Sequence, residues 1–532
     1  LIFIQLYQLV DKGGRYMSNF TIYEAVYRAN EEMLEKEVCF DGLNRKTYAE
    51  LFQDVERLSG ALQAMGVQKG DHIAVSLPNW YEFYVVFLAI VKSGATIVPF
   101  NTAYKIDEIH YILQNSRAKV FFTTAENIRK FEGVKLSFQT VEHIVLVRET
   151  DQQQLTLEKL LQQKLPFIKP YIEPSEDVAI ILYTSGTTGA PKGAMLTHSN
   201  ILYNTSAMKT ALRVTPQDVV LIPVPLFHVF GIVVGSLVTF IAGARIVLME
   251  KYKAQEALHL IETEHVTVHH GVPTMFILEL NHPDFAKYNL TSLRTGIIAA
   301  APCPVEIIQQ ILNKMHCNIL VAYGLSETSP AVTVSDWEDS DINRSETVGL
   351  VIKGTELRIV DDQRNELPRN NVGEIAVKGP GVMKGYFNDV QRTKEVLTED
   401  GWFYTGDLAT LDEEGYVRII GRKKEMIIRG GYNIYPREIE EIFYQHPAVL
   451  EVAVIGLPDT VLGEIVCAAI IVKDKETVQE EELLNYVQEH LATYKCPTKI
   501  VILDEFPVTA SGKIQKVELQ KRLRKQLQTE LR

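Results

Sequence analysis

The segment Tyr183-Thr-Ser-Gly-Thr-Thr-Gly-Ala-Pro-Lys-Gly193 follows directly on the apolar run Val178-Ala-Ile-Ile-Leu182. A short continuous apolar run reads as a buried strand. It delivers the chain into a loop that crowds hydroxyl residues between glycines. Gly186 and Gly189 free backbone N–H groups to curve around an anion, Thr184, Ser185, Thr187 and Thr188 offer hydroxyls, and Lys192 supplies positive charge. The loop reads as a phosphate cradle at the end of a strand. A Walker A loop requires GxxxxGK[ST], and Lys192 is followed by Gly193 where a magnesium-binding hydroxyl would stand. A flexible linker would not be expected to pair this strand with a lysine.

Working outward, the pattern alternates between helical and strand periods. Leu51, Val55, Leu58 and Leu62 line one helical face, 73–77 reads as a strand, 81–91 as a helix, 96–100 as extended, 106–113 as a helix and 119–123 as extended. These are βα units around a largely parallel sheet. A second block runs over 178–320, with strands at 178–183, 245–249 and 266–270. After Glu327 the texture changes to short strands (357–360, 374–378, 416–420) separated by Gly, Asp and Asn turns, a small β-rich subdomain. A terminal unit follows, with helices at 436–445 and 480–491 and strands at 451–455, 466–472 and 499–503. The expected fold is α/β: a large N-terminal domain (17–423) of two α/β lobes plus the β-rich subdomain, then a small α+β C-terminal domain (424–532). The Gln-rich stretch 152–163 reads as a connector of marginal order.

At 532 residues, the chain is long enough for three or four folding units of about 150 residues each. Hydrophobic residues at 46% and charged residues at 23% are ordinary globular usage, so sizeable cores can form. The net charge of −13 argues against broad capture of nucleic acid phosphates. Cys39, Cys303, Cys317, Cys467 and Cys496 are scattered without metal spacing, which suits free buried thiols in a reducing, cytoplasmic setting. Residues 1–16 precede Met17 and read as an extension upstream of the natural start. The nearly apolar stretch 226–244 approaches a membrane-spanning length, but His228, Gly231, Gly235 and Gly243 favour a core helix beside a ligand cavity.

The phosphate cradle resembles that of the AMP-forming adenylate enzymes, the superfamily of acyl-CoA synthetases, luciferases and peptide-synthetase adenylation domains. Five further segments resemble that family's motifs in family order: Ala322-Tyr-Gly-Leu-Ser-Glu-Thr328, Tyr404-Thr-Gly-Asp407, Gly421-Arg-Lys-Lys-Glu425, Gly430-Gly-Tyr-Asn-Ile-Tyr-Pro436 and Pro507-Val-Thr-Ala-Ser-Gly-Lys513. The resemblance covers roughly residues 47–519 and implies a large domain hinged at Lys424 to a mobile small one. It implies an ATP site built from Thr184, Ser185, Gly186, Thr187, Thr188, Gly189, Lys192, Ala300, Ala301, Tyr323, Thr328, Asp407, Arg422 and Lys513. Tyr323 offers a face to the purine, Thr328 a hydroxyl to the α-phosphate, and Asp407 and Arg422 hold the ribose. Glu327 and Thr184 would hold Mg²⁺. Lys513 would neutralise charge as a carboxylate attacks the α-phosphorus. Gly430, Gly431 and Tyr432 would complete the CoA tunnel after a rotation of the small domain.

Pro225-Leu-Phe-His-Val-Phe-Gly231 matches the family segment bordering the acyl pocket and holds no carboxylate to pair with a substrate ammonium, which argues against amino acid activation. His228, Val229, Phe230 and Gly235, with Ala299 and Gly324, suggest an apolar slot for a hydrocarbon chain. Ile298-Ala-Ala-Ala-Pro302 stands where many relatives carry Ser-Gly-Gly-Ala-Pro, and the Ala299 methyl narrows the slot. Tyr386-Phe-Asn-Asp-Val-Gln-Arg-Thr393 also departs from the family, in a loop expected to matter little. The reading is a medium- to long-chain fatty acid CoA ligase using ATP, CoA and Mg²⁺. The alternatives are an aryl or small-acid CoA ligase, or a donor of acyl groups to a carrier protein. Peripheral membrane contact and a homodimer stay open. The basic tail 521–525 reads as a solvated helix end, with contact to anionic lipid as the alternative.

Overall fold

The computed structural model describes residues 19–131, 140–149, 153–184, 191–301, 303–473, 478–509 and 513–530. Two large sheets share one core. The first runs Gly385–Tyr386, Lys192–Thr197, Val178–Thr184, Thr96–Pro99, His72–Val75, Val120–Thr123, His143–Leu146. The second runs Leu350–Val351, Ala331–Val334, Asn318–Gly324, Thr295–Ile298, Val268–His269, Val219–Ile222, Arg245–Leu248, Glu37–Phe40, Arg45–Thr47. Their central strands are parallel.

Strand alternation explains why both sheets are covered on both faces. Ile73, Val75 and Ile97 from the first sheet, and Val220, Ile222 and Ile297 from the second, point into the shared core. Their neighbours Ala74 and Val98 face an outer core with Ile109 and Ile112, and Leu221 and Ile298 face another with Ile308 and Ile311. Helices fill the space between the sheets. Tyr48–Ala64 begins at a Thr47–Glu50 capping box and buries Leu51, Val55, Leu58 and Leu62 at helical spacing. Tyr81–Lys92 is buried all round. Each such Val, Leu or Phe contributes about 1.5–3 kcal/mol by leaving water, so Phe87→Asp would break the seam.

The division between lobes differs from expectation. The strand Val178–Thr184 belongs to the first sheet, where Ile180 pairs with Ile97, and it forms an antiparallel hairpin with Lys192–Thr197. Glu37–Phe40, from before the first α/β units, crosses to the second sheet and pairs in parallel with Arg245–Leu248. An apolar run shows that a strand is buried but not which neighbour it takes. The Thr96 hydroxyl, donating to Val178 O at 2.7 Å, is part of what fixes the pairing.

The stretch 226–244 is no single helix. A π-helical segment, Phe230–Leu237, passes into the α-helix Val238–Ala242, and every residue of both is buried. The wide turn follows from Gly231, where a Cβ would lie 2.2 Å from Pro225 O, and from the Ser236 hydroxyl donating to Gly231 O at 2.7 Å. Among the described residues no helix is long and apolar enough to cross a membrane. The Gln-rich connector also proves more ordered than expected: Leu157–Gln162 is a helix capped by Thr156 with Leu157 and Leu160 buried.

The β-rich subdomain is the antiparallel sheet Glu356–Val360, Gly373–Lys378, Phe403–Leu411, Val417–Arg422. The turn Lys423–Glu425 leads from it into the small domain, whose sheet combines the hairpin Ile427–Arg429 and Tyr432–Ile434 with Gly463–Val472, Val449–Asp459 and Lys499–Ile502. The basic tail lies in the helix Lys516–Glu530, anchored by buried Leu519 and Leu523. All five cysteines are buried and free.

Candidate active site

The hairpin 178–197 sets Thr184 opposite Lys192, with the Thr184 hydroxyl 3.5 Å from Lys192 O. Ser185, Gly186, Thr187, Thr188 and Gly189 lie outside the described residues. The Lys192 ammonium stands 5.0 Å from the centre of the Tyr386 ring, and the Tyr386 hydroxyl donates to Glu327 Oε1 at 2.8 Å. Tyr386 is therefore a residue that sequence reasoning missed. Its loop looked unimportant, yet Gly385–Tyr386 is the edge strand of the first sheet, pairing with Lys192–Thr197 beside the cradle.

Strand Asn318–Gly324 ends in the turn carrying Glu327. Gly324 has to be glycine, because a Cβ there would meet Pro330 O at 1.7 Å. Glu327 is 9% exposed, and no salt bridge to it exists among the described residues. Thr328 Oγ1 lies 2.7 Å from Pro330 O and 3.1 Å from Leu325 O while accepting from Leu325 N, so its hydroxyl is engaged within its own turn.

Asp407 and Arg422 face each other across the antiparallel pair Phe403–Leu411 and Val417–Arg422. Arg422 Nε stands 3.3 Å from Asp407 Oδ1, and the Tyr323 hydroxyl donates to Asp407 Oδ2 at 2.7 Å. Burial pushes the Asp407 carboxyl up, with Arg422 and Tyr323 opposing it, and burial and Asp407 push the Tyr323 hydroxyl up, so it stays a donor. Tyr323, Asp407 and Arg422 thus form one polar wall.

Lys513 enters this wall from the small domain. Its backbone N–H donates to Thr509 Oγ1 at 3.1 Å and its carbonyl accepts from Thr509 N at 2.7 Å. Burial lowers the ammonium to about 8, Arg422 adds to the shift, and Asp407 and Glu327 oppose it. A buried cation amid two carboxylates and a guanidinium is held ready for an anion of higher charge. His228 borders the same space. Burial, then Lys513, lowers its ring to about 3, and Nδ1 accepts from Phe230 N at 3.2 Å, so it presents a neutral Nε2–H.

Behind His228 the wall is apolar. Val229 and Phe230 are buried, and Gly235 packs on Ile222. Ala299, Ala300 and Ala301 border this region at partial exposure. The sequence pointed to the Ala299 methyl, whereas the structure puts strain one residue later: Ala300 has φ 75°, a left-handed conformation that costs a non-glycine residue roughly 1–2 kcal/mol. Composition cannot distinguish two adjacent alanines; only backbone geometry does.

Gly430, Gly431 and Tyr432 are not brought to this cluster. The glycines make the turn of the hairpin 427–434 with φ 57° and 86°, and Tyr432 is 60% exposed with its ring 4.8 Å from Tyr494. Lys424 sits in the connecting turn, exposed, its ammonium lowered by partial desolvation and by Arg422.

The chain is similar to known proteins over most of its length. The AMP-binding enzyme family matches residues 26–387, and its AMP-binding enzyme C-terminal domain matches residues 438–513. The chain is 39% identical over 514 residues to YngI, a Bacillus subtilis (strain 168) protein named as an acyl-CoA synthetase, covering 90% of this chain and 92% of that one. It is 35% identical over 516 residues to the mitochondrial medium-chain acyl-CoA ligase ACSF2 of Macaca fascicularis, covering 91% and 83%. The crystal structure of the anthranilate CoA ligase AuaEII in complex with anthranoyl-AMP superposes with a TM-score of 0.90 at 26% identity, covering 96% and 98%. With the large-domain match covering more than half of the chain and relatives at 35–39% identity over most of both lengths, the chain belongs to the AMP-binding enzyme family and is an AMP-forming acid–thiol ligase.

Proposed function

We propose that this ligase activates medium- to long-chain fatty acids: ATP, fatty acid and CoA yield acyl-CoA, AMP and pyrophosphate through an acyl-adenylate. The observation that carries the reading is the buried wall of Val229, Phe230 and the π-helical segment to Leu237, which contains no carboxylate for a substrate ammonium. A hydrocarbon chain gains about 0.8 kcal/mol per methylene buried against such a wall. The name of the Macaca relative, a medium-chain acyl-CoA ligase, supports the same choice.

In the first half-reaction a carboxylate oxygen attacks the α-phosphorus and the bond to pyrophosphate breaks. Lys513 offsets the charge that accumulates there, and the neutral His228 Nε2–H donates without adding repulsion to Lys513. Tyr323, Asp407 and Arg422 hold the nucleoside. Glu327, a buried carboxylate in no salt bridge among the described residues, fits Mg²⁺, with Thr184 as a second oxygen. Bound there, the ion would neutralise the triphosphate. In the second half-reaction the CoA sulfur attacks the acyl carbon, the bond to AMP breaks and the thiol proton is released. Turning of the small domain about Lys424 brings Gly430, Gly431 and Tyr432 to line the thiol's path. The five buried free thiols support a cytoplasmic site of action.

The test is pyrophosphate release across acetate, octanoate, palmitate, benzoate, coumarate and amino acids, with and without CoA, with mass spectrometry of the products. CoA-dependent turnover rising with alkyl length is expected. Preference for an aromatic acid, or adenylate without thioester, would overturn the reading.

A further inference from the structure

Two adjacent histidines at the end of strand Val268–His269 point to opposite sides of the second sheet. His269 faces the outer core, where its Nε2 lies 3.0 and 3.1 Å from the Glu279 oxygens, and Tyr252 also donates to that carboxylate at 3.2 Å. His270 faces the inner core and the acyl wall: its ring centre is 6.0 Å from that of Phe230. The Ile297 backbone N–H donates to His270 Nδ1 at 3.2 Å, which occupies that lone pair and leaves the ring proton on Nε2. His270 is 0% exposed, and its Nε2 has no hydrogen-bond partner among the described residues. Burial lowers the ring to about 3, so it is a neutral donor at any working pH. The flanking Phe230 and Ile297 side chains carry no acceptor.

We propose that His270 is a specificity residue of the acyl pocket, whose Nε2–H selects aliphatic acids carrying an acceptor oxygen, a keto or hydroxyl group, partway along the chain. The proposal rests on the aliphatic CoA ligase reading above and sharpens its substrate class. A plain alkyl chain lying against Phe230 excludes water and leaves the donor unpaired. An oxygen at the matching carbon satisfies it. Pockets discriminate strongly through a buried polar group left without its partner and only weakly through one methylene.

The experiment compares kcat/KM for CoA-dependent turnover of octanoate with that of its positional series of keto and hydroxy octanoates, in the wild type, His270→Leu and His270→Asn. Asparagine keeps an acceptor near the place of Nδ1 for the Ile297 N–H and removes only the distal donor, so it separates recognition from folding. One position in the series should exceed octanoate about tenfold in the wild type, the worth of one buried hydrogen bond. That preference should fall to within about twofold in both variants, with octanoate itself improved in His270→Leu. Octanoate turnover that exceeds every member of the series, or a preference unchanged in His270→Asn, overturns the proposal alone. Failure of every aliphatic acid, with an aromatic acid accepted, overturns the fatty acid reading and this proposal with it.

Discussion

The small domain carries two candidate functional positions, Lys513 and the turn 430–432, and their surroundings differ. Lys513 sets its ammonium beside Arg422, Asp407 and Glu327 of the large domain. The turn of Gly430, Gly431 and Tyr432 is exposed, and the Tyr432 ring packs at a tilt against Tyr494 of its own domain. The lesson is that one domain presents two sets of chemical groups, and in this geometry Lys513 reaches the large-domain cluster while Tyr432 does not. The geometry with Lys513 inserted suits the adenylation step, and on the proposed function the other loop serves the thioester step from a different orientation.

The sharpest way to break this contrast is Lys513→Ala. Pyrophosphate release should fall on the order of 10²–10³-fold, as when one preorganised charge or donor is removed from a transition state. Thioester formation from supplied acyl-adenylate should stay within a few-fold of wild type. Next in size is pH. The Lys513 ammonium sits at about 8 in the free enzyme, below its ordinary value, so it is charged below that pH and neutral above it. The kcat/KM for ATP in adenylation should therefore fall about tenfold per pH unit above pH 8, while the thioester step from adenylate shows no such limb there. Tyr432→Ala should raise KM for CoA severalfold, a loss of about 1 kcal/mol of ring contact, without changing CoA-independent pyrophosphate release. The smallest effect concerns the wall that both steps share. Ala300→Gly should relieve the left-handed backbone and raise stability by about 1 kcal/mol, read as a higher melting temperature.

Much of this was legible before the structure. Elements with a strong period, such as Tyr48–Ala64, Tyr81–Lys92 and Pro436–Tyr444, sit within a few residues of their expected bounds, because burial of one face leaves a direct trace in sequence. Asp407 and Arg422 come from separate motifs expected to hold one ribose, and the ladder register sets them opposite each other. What escaped depends on non-local geometry. The pairing of Ile180 with Ile97 carries no local signature, nor does the passage of Glu37–Phe40 into the second sheet. The π turn arises where Gly231 meets Pro225 O, a contact that hydropathy cannot express. Tyr386 escaped because its loop was judged by a missing family residue rather than by what its hydroxyl could reach.

The two-loop account is tested most directly by single-turnover measurement of both half-reactions in Lys424→Pro, which stiffens the turn between the four-stranded sheet and the small domain. The account predicts pyrophosphate release near the wild-type rate and thioester formation from the same enzyme-bound adenylate slowed about a hundredfold. Equal loss of both steps, or full retention of both, would contradict it.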